Sequence, residues 1–217
     1  MCQGSFSEEE AKAQIVEVGR WLYAQGLAIS SDGNLSVRLG ERVWITPSGL
    51  CKGRVAGEEL VCVDLAGRLL QAGRGGLRPS SETPMHLEVY RQRPDVAAVV
   101  HAHPPYATAL TIAGIPLHRD VLPEIVLTVG EVPVTRLARP ASEDDALAIR
   151  ELIVRHNAIL LPHHGSLTVG ATLHEAFLTL ERVEHAARVI FLAQLLGRVN
   201  HLPADLVADL ERMASSM

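Results

Sequence analysis

Two histidines separated by one residue are the side chains of this protein best placed to do chemistry. His101 and His103 follow the apolar run 96–100, which reads VAAVV. Alternate side chains of a β-strand lie on the same face, so both imidazoles can reach one point in space. Neutral imidazole nitrogens suit Zn²⁺ better than Mg²⁺ or Ca²⁺. The pair therefore predicts a metal site, and the alternative is that both are hydrogen-bonded structural residues of a strand.

A second source of imidazole nitrogens follows another apolar run. His163 and His164 come after the predicted strand 159–161 and before Gly165, a residue that permits tight turns and close backbone approach. Three imidazoles would leave a coordination position open, as catalytic zinc sites do. The remaining histidines are not at ligand spacing and are predicted to be structural or solvated: His86, His118, His156, His174, His185 and His201.

A carboxylate would complete the chemistry of such a site, and Glu82 is the strongest candidate. It follows Ser80 and Ser81 at a predicted helix start, where a short loop can aim it into a pocket. The same glutamate could be a solvated first-turn residue that favours the helix dipole. The sequence alone leaves both interpretations open.

Three short segments are rich in backbone N–H and hydroxyl donors. They are 33–36 (GNLS) and 46–49 (TPSG), at opposite ends of a predicted hairpin, and 79–81 (PSS). Neutral donors arranged as a nest, assisted by a helix N-terminus near Ser81, can hold a phosphate without a cluster of lysines. Each segment could also be an ordinary turn, because Gly, Asn, Ser and Pro dominate turns.

Local patterns predict the elements that must position these residues. Helices are predicted from cap residues and apolar spacing: from the Ser7–Glu10 capping box to about Gly26, from Ser81 to before Pro94, from Pro104 and Pro105, from Ser142 through Ile153, and from a Thr172–Glu175 capping box to about Gly197. Strands are predicted at 35–39, 43–45, a pair within 60–70, 96–103, 125–137 broken by Gly130 and Pro133, and 159–161 with Leu167 and Val169 as a continuation. The order predicts a mixed α/β fold with a mainly antiparallel sheet flanked by helices.

Composition excludes several classes of protein. With 217 residues, 47% of them hydrophobic, the chain can bury one core, so we expect a single domain over residues 1–217. A net charge of −5 without a basic tract argues against a nucleic-acid partner. Three cysteines without metal-type spacing fit a reducing compartment. Neither a secretory signal nor a membrane span is visible, so we expect a cytoplasmic protein with no membrane partner.

Taken in order, these motifs resemble the class II aldolase/adducin family over nearly the whole chain. The resemblance implies a three-layer α/β/α fold and a homotetramer with sites at subunit interfaces. It also implies zinc ligands at His101, His103 and His164, with His163 as a neighbour, and Glu82 as general acid/base. The implied phosphate-binding residues are Gly33, Asn34, Ser48, Gly49, Ser80 and Ser81.

The chain departs from the family's fuculose-phosphate enzymes in its tyrosines. Those enzymes use one tyrosine beyond the His-x-His pair and another in the C-terminal tail. This chain has only Tyr23, Tyr90 and Tyr106. Around the first position it offers other side chains that can handle protons: His118, Arg119, Asp120 and Glu124.

The implied function is a zinc-dependent aldolase that cleaves a short ketose 1-phosphate, such as a deoxy or methylthio sugar phosphate. The products would be dihydroxyacetone phosphate and an aldehyde, with zinc or another divalent transition metal stabilising an enediolate. Alternatives that keep the same site are a dehydratase, a decarboxylase and a sugar-phosphate 4-epimerase. A different class is an adducin-like interaction module without catalysis.

Overall fold

The computed structural model describes residues 7–216, which form helices on both sides of one sheet. The α-helices in this part of the chain are α1 Glu8–Ala24, α2 Thr83–Gln92, α3 Pro105–Ala113, α4 Pro123–Thr128, α5 Glu143–Ile153, α6 Leu173–Leu195 and α7 Ala204–Ala214. The strands are β1 Asn34–Leu39, β2 Arg42–Ile45, β3 Val61–Asp64, β4 Leu69–Gln71, β5 Ala98–Ala102, β6 Ala158–Leu161 and β7 Gly165–Gly170. Cys2 lies outside the described residues.

The sheet has the strand order β4-β3-β2-β1-β5-β7-β6, and every neighbouring pair is antiparallel. This confirms the predicted antiparallel sheet. The central strand β5 lies between β1 and β7, with His101 opposite Asn34 on one side and opposite Leu167 on the other. The His-x-His end of β5 therefore meets the beginnings of two neighbouring strands.

Apolar side chains divide between the two faces of the sheet. Val100 points to the side covered by α1 and α6, whereas Val99 points to the side covered by α2 and α5. This alternation follows from the two-residue period of a strand. The three-layer α/β/α architecture is confirmed. His101 shares its face with Val99, so it lies under the layer formed by α2 and α5.

The helix caps agree with the sequence at α1 and in part at α6. Glu10 donates its N–H to Ser7 Oγ (3.2 Å), and its carboxylate accepts the Ser7 N–H (2.7 Å), which completes the capping box. Thr172 accepts the N–H of Glu175 at 3.1 Å, but the Glu175 carboxylate accepts the N–H of Ala171 instead. The second capping box is therefore only half formed.

The prediction of strand structure over 125–137 was wrong. Pro123–Thr128 is the helix α4, and Val134 makes only an isolated bridge to Leu160. Leu122, Ile125 and Val129 have helical spacing and contribute to the core beside α6. The local β-propensity of Ile and Val was overridden by this packing.

Leu167 and Val169 do not continue β6, as the sequence suggested, but belong to the separate strand β7. The chain reverses at 162–164, where His163 adopts a positive φ of 58°, and β7 then pairs antiparallel with β6. Among residues 7–216, no helix combines the length and apolarity required to cross a bilayer.

Candidate metal centre and substrate site

Three imidazoles converge at the end of the central strand. His101 lies within β5, His103 follows it by two residues on the same face, and His164 immediately precedes β7. One ring nitrogen of each lies within 4.8 Å of the others, and the two Nε2 atoms of His101 and His103 are 3.1 Å apart. The three rings surround a space of the size that a metal ion fills.

Two glycines allow the backbone to bring these rings together. A Cβ at Gly165 would lie 2.2 Å from the carbonyl oxygen of Ala102 and 3.0 Å from the His103 ring. At Gly33 the φ of 70° and a 2.8 Å approach to the His101 carbonyl oxygen exclude a side chain. Both neighbours of β5 can therefore pack closely against its histidine-bearing end.

The turn before β7 separates its two histidines. His163 is exposed, and its N–H donates to Thr111 Oγ1 at 3.1 Å. His164 turns inward, and its side chain is 15% exposed. The structure thus brings His164 to the other two imidazoles and leaves His163 at the surface.

The surroundings of His101 fix which of its nitrogens is free. Its Nδ1 lies 2.9 Å from the carbonyl oxygen of Ser166, which can only accept, so Nδ1 carries the proton and Nε2 presents a lone pair. Burial lowers the pKa of His101 to about 4 and that of His103 to about 4. Both rings are therefore neutral at pH 7, as metal ligands must be.

Glu82 contacts two of the three imidazoles. Its Oε2 lies 3.3 Å from His101 Nε2 and its Oε1 lies 3.3 Å from His164 Nε2. Burial would raise the pKa of Glu82, but the imidazoles of His101 and His164 and the amide of Asn34 outweigh it and hold the pKa well below its usual range. Burial alone would lower the pKa of His164, but the Glu82 carboxylate outweighs burial and raises it. The carboxylate is ionised and aimed at the centre of the site.

The predicted helix cap at Ser81 was wrong. Glu82 occupies the N-cap position of α2 without a side-chain capping bond, and Ser81 is exposed. The Glu82 N–H instead donates to Ser80 Oγ (3.3 Å). Because α2 begins with Thr83 and Pro84, its start lies two residues beyond Ser81, and the Glu82 side chain is free to face the histidines.

A buried chain of hydrogen bonds orients Glu82. Asn34 Nδ2 donates to Glu82 Oε2 at 2.6 Å, and Asn34 Oδ1 contacts His86 Nε2 at 2.5 Å. His86 Nδ1 lies 2.7 Å from Ser36 Oγ, which lies 2.7 Å from the Tyr90 hydroxyl. Since the amide oxygen only accepts, the protons run in one direction from Tyr90 to Glu82. The Asn34 side chain, which the sequence predicted to bind phosphate, instead makes both of these hydrogen bonds.

The predicted phosphate-binding segments lie side by side. Antiparallel pairing of β1 and β2 places 33–36 and 46–49 at the same open end of the hairpin, not at opposite ends. The Ser48 N–H donates to the Arg78 carbonyl oxygen (3.1 Å) and the Ser80 N–H to that of Thr46 (3.2 Å). These N–H groups are used within the protein, whereas the side chains of Ser48 and Ser81 and the backbone at Gly49 are exposed.

Lys52 lies behind these segments and was missed in the sequence. Its ammonium group donates to the carbonyl oxygens of Ser31 (2.6 Å) and Leu50 (2.7 Å), and the residue is 2% exposed. Burial lowers its pKa, although the charges of Asp32 and Glu82 oppose this effect. The lysine ties the chain before Gly33 to the chain after Gly49, a contact that sequence spacing does not reveal.

Two further carboxylates near the histidines were also missed. Asp32 Oδ2 lies 3.8 Å from His103 Nδ1. Asp145, in the first turn of α5, lies within 4.8 Å of Glu82 and His164, measured between possible ligand atoms. Its residue is 3% exposed, and burial raises its pKa. The helical spacing of apolar residues predicts that this face of α5 packs against the core, but it does not predict that the face belongs to a site.

The other residues considered for proton transfer lie elsewhere in the subunit. His118 and His201 stack edge to face, and His201 Nδ1 lies 2.9 Å from Asp120 Oδ1 at the surface. Tyr106 packs against Phe191, and Tyr90 reaches the site only through Ser36.

Comparisons with known proteins give a consistent result. The model of the class II aldolase and adducin N-terminal domain family matches residues 13–191. The 3-oxo-tetronate 4-phosphate decarboxylase of Pectobacterium atrosepticum is 35% identical over 94% of both chains. The methylthioribulose-1-phosphate dehydratase of Methylococcus capsulatus is 34% identical over 82% of this chain and 91% of its own. The structure of L-fuculose-1-phosphate aldolase from Thermus thermophilus is 35% identical and superposes with a TM-score of 0.75, covering 86% of this chain and 95% of that one.

Proposed function

The chain belongs to the class II aldolase and adducin family, and we propose that it is a metal-dependent lyase that breaks a carbon–carbon bond beside a ketone in a short phosphorylated substrate. The observation that carries this proposal is the convergence of three imidazoles with the Glu82 carboxylate beside them. A lyase of this type requires an electron sink and an acid/base within reach of the same carbon atoms. An interaction module has no need for either.

The donor set fits zinc. Three neutral imidazoles, one of them fixed in its tautomer by the Ser166 carbonyl oxygen, match the ligands of catalytic zinc sites. His101, His103 and His164 would hold the ion. When bound, the ion supplies a Lewis acid that stabilises negative charge on substrate oxygens. Another divalent transition metal that accepts imidazole ligands can take its place.

Glu82 moves the proton. Its carboxylate is 11% exposed and is held by Asn34, so it faces the site with a fixed orientation and still reaches solvent. Cleavage beside a ketone leaves an enediolate that must be protonated on carbon. Glu82 delivers that proton after receiving it from solvent.

The phosphate end of the substrate binds near Gly33, Ser48, Gly49, Ser80 and Ser81. Ser80 and Ser81 directly precede Glu82, and Gly33 contacts the backbone of His101. A phosphate anchored here lies beside the metal site, so its binding orients the reacting carbons. Lys52 supports this role because it fixes both surrounding loops and adds a positive charge behind them.

Two reactions of the family lead to the same intermediate. Decarboxylation of 3-oxo-tetronate 4-phosphate breaks the bond to the carboxylate carbon, releases carbon dioxide and leaves a three-carbon enediolate. Aldol cleavage of a ketose 1-phosphate first removes a hydroxyl proton, then releases an aldehyde and leaves the same enediolate. Protonation on carbon gives dihydroxyacetone phosphate in both cases.

Decarboxylation is the first candidate. The relative with this activity aligns with 94% of the chain, and the reaction needs only one proton delivered to carbon, which Glu82 can supply. Aldol cleavage is the second candidate, supported by the fuculose-phosphate aldolase structure. It needs an additional base for the hydroxyl proton, and Tyr90 and Tyr106 do not face the metal site of their own subunit.

The experiment is to incubate zinc-loaded protein with 3-oxo-tetronate 4-phosphate and, separately, with L-fuculose 1-phosphate. Dihydroxyacetone phosphate, carbon dioxide and aldehyde are measured independently, with metal-free protein as the control. We expect equal amounts of carbon dioxide and dihydroxyacetone phosphate from the first substrate. Product from L-fuculose 1-phosphate only, with aldehyde released, would favour the aldolase. Methylthioribulose 1-phosphate is tested as a third substrate, and loss of water from it without a triose phosphate would favour a dehydratase. No product from any of these phosphates would contradict the proposal.

We also propose that the protein is a cytoplasmic homotetramer with one domain in each subunit. Apolar side chains at the end of α6 support association of copies: Leu192 is 46%, Leu195 69% and Leu196 89% exposed. A group of exposed leucines on one surface is typical of sites that bind another protein. Light scattering coupled to gel filtration measures the mass directly, and a monomer at micromolar concentration would contradict this assembly.

A further inference from the structure

Asp145 is a buried carboxylate for which the reaction outlined above has no use. The residue is 3% exposed, and its Oδ2 has no hydrogen-bond partner among residues 7–216. Leaving a buried polar atom without a partner destabilises a folded protein, and the destabilisation is larger for a charged group. The remaining acidic residues of this helix turn, Glu143 and Asp144, are exposed. Burial raises the pKa of Asp145 and the backbone N–H of Ala141 lowers it, but no group among residues 7–216 compensates Oδ2.

The position of Asp145 identifies the compensating group. Its carboxylate lies within 4.8 Å of both the Glu82 carboxylate and a ring nitrogen of His164. The starts of α2 and α5 thus place the largely buried Glu82 carboxylate and the buried Asp145 carboxylate near one imidazole of the metal site. Interactions between buried charges are only weakly screened by salt or water. A divalent cation at the three histidines would compensate the charges of Glu82 and Asp145 together.

The other two imidazoles already have an oxygen atom behind them. The Ser166 carbonyl oxygen accepts from His101 Nδ1 at 2.9 Å, and Asp32 Oδ2 lies 3.8 Å from His103 Nδ1. Such outer oxygens orient metal-ligating histidines and strengthen their binding to the ion. For His164, Glu82 Oε1 lies 3.3 Å from Nε2, and the Asp145 carboxylate is a second acidic group within 4.8 Å of the ring.

We propose that Asp145 is the outer carboxylate of the metal centre, a positioning residue that supports His164 and raises the affinity for the ion without binding it directly. This assignment rests on the proposed metal-dependent function. It accounts for a carboxylate buried beside the site whose Oδ2 has no hydrogen-bond partner among residues 7–216. It also gives α5, on which the sequence predicted no site residue, a part in building the site.

The test is to measure zinc affinity of the metal-stripped full chain by competition with a chromogenic chelator. Asp145→Asn keeps the shape of the side chain and removes its charge, and the backbone N–H of Asp145 still donates to Ser142 Oγ. Glu143→Gln is the matched control, because it removes an exposed charge from the same turn. We expect the Kd for zinc to rise about 10- to 100-fold in Asp145→Asn and to stay at the wild-type value in Glu143→Gln.

Thermal unfolding of the metal-free proteins separates this role from a structural one. Metal-free Asp145→Asn should unfold at the wild-type temperature or above it, because an uncompensated buried charge is gone. Wild-type zinc affinity in Asp145→Asn would overturn the assignment, as would a lower unfolding temperature of the metal-free variant that accounts for its weaker binding. If the wild-type chain binds no zinc or other divalent ion, the proposed function itself fails and this assignment with it.

Discussion

Two groups of histidines in this protein have similar ring geometry and very different surroundings. The metal-site histidines, His101, His103 and His164, have ring centroids 4.7–4.9 Å apart. The surface histidine pair, His118 and His201, has centroids 5.0 Å apart and an adjacent carboxylate, Asp120. Ring proximity and a nearby carboxylate are therefore common to both groups.

Burial and orientation distinguish them. His101 is fully buried and bound to a backbone carbonyl oxygen, whereas the side chain of His201 is 43% exposed and bound to the Asp120 side chain. A backbone acceptor within a sheet is already fixed, so holding the ring does not require ordering a second side chain. The comparison teaches that the strand environment, more than the residue types, makes a set of histidines suitable for a metal ion.

The largest expected effect separates the two groups directly. His101→Ala removes a ligand from the interior of the site, so we expect zinc affinity to fall by more than about 100-fold, the upper range for loss of an outer partner alone. His201→Ala is the control and should retain wild-type zinc content. Metal analysis after dialysis measures both. Equal zinc content in the two variants would remove the distinction between the groups.

The second prediction concerns the carboxylates of the two groups. Glu82→Gln keeps the hydrogen bond from Asn34 and removes the proton-transfer group, so we expect the turnover rate to fall about 10²- to 10⁴-fold with zinc still bound. Asp120→Asn should leave the turnover rate of the same assay unchanged if each subunit's site works without the surface pair. A loss of turnover in Asp120→Asn would show that the surface pair takes part in a site, as it could at a subunit interface.

A third prediction uses pH to compare a buried histidine with an exposed one. Burial lowers the pKa of His86 from 6.5 to about 4. Between these values the unfolded chain binds a proton that the folded chain does not, so stability falls as the pH decreases from about 6.5 to 4. The contribution of His86 is about 3 kcal/mol, at 1.36 kcal/mol for each pKa unit. Urea unfolding of metal-free protein at pH 7 and pH 4.5 measures the summed change, to which His101 and His103 also contribute, and the difference between the wild type and a His86 variant gives the part due to His86.

The matched variants for this measurement are His86→Gln and His201→Gln. The first should weaken the dependence of stability on pH, because the titrating group is gone, although it also disturbs the hydrogen bonds to Asn34 and Ser36. The second removes only an exposed ion pair, worth about 0–1 kcal/mol, so it should change the profile by no more than this. The same pH profile in all three proteins would show that His86 does not titrate in this range.

The smallest expected effect is on the surface pair itself. Asp120→Asn breaks an ion pair with His201 whose side chains are 35% and 43% exposed. Exposed ion pairs contribute about 0–1 kcal/mol, so the free energy of unfolding at pH 6 should change by no more than this. Denaturant unfolding measures this change. A change above about 1 kcal/mol would mean that the ion pair is needed to keep residues 118–121 packed against His201.

Much of the fold was predictable from local patterns. The Ser7 capping box, both hairpins before residue 72 and the helix after Ser142 depend on contacts within a few residues of one another. The prediction failed at 125–137, where β-branched residues form part of a helix because their spacing matches a core beside α6. It also failed at 167–169, which belong to a separate strand because His163, with its positive φ, reverses the chain before them.

The ligand types and the shared face of His101 and His103 can be read from the amino-acid sequence, because the two-residue period of a strand is a local property of the backbone. The groups that surround these histidines depend on tertiary packing. Asn34 and His86 are 52 residues apart, and Asp145 reaches His164 through the packing of a separate helix. Contacts of this kind depend on how strands pair and how helices cover the sheet, which the spacing of residues along one chain does not encode.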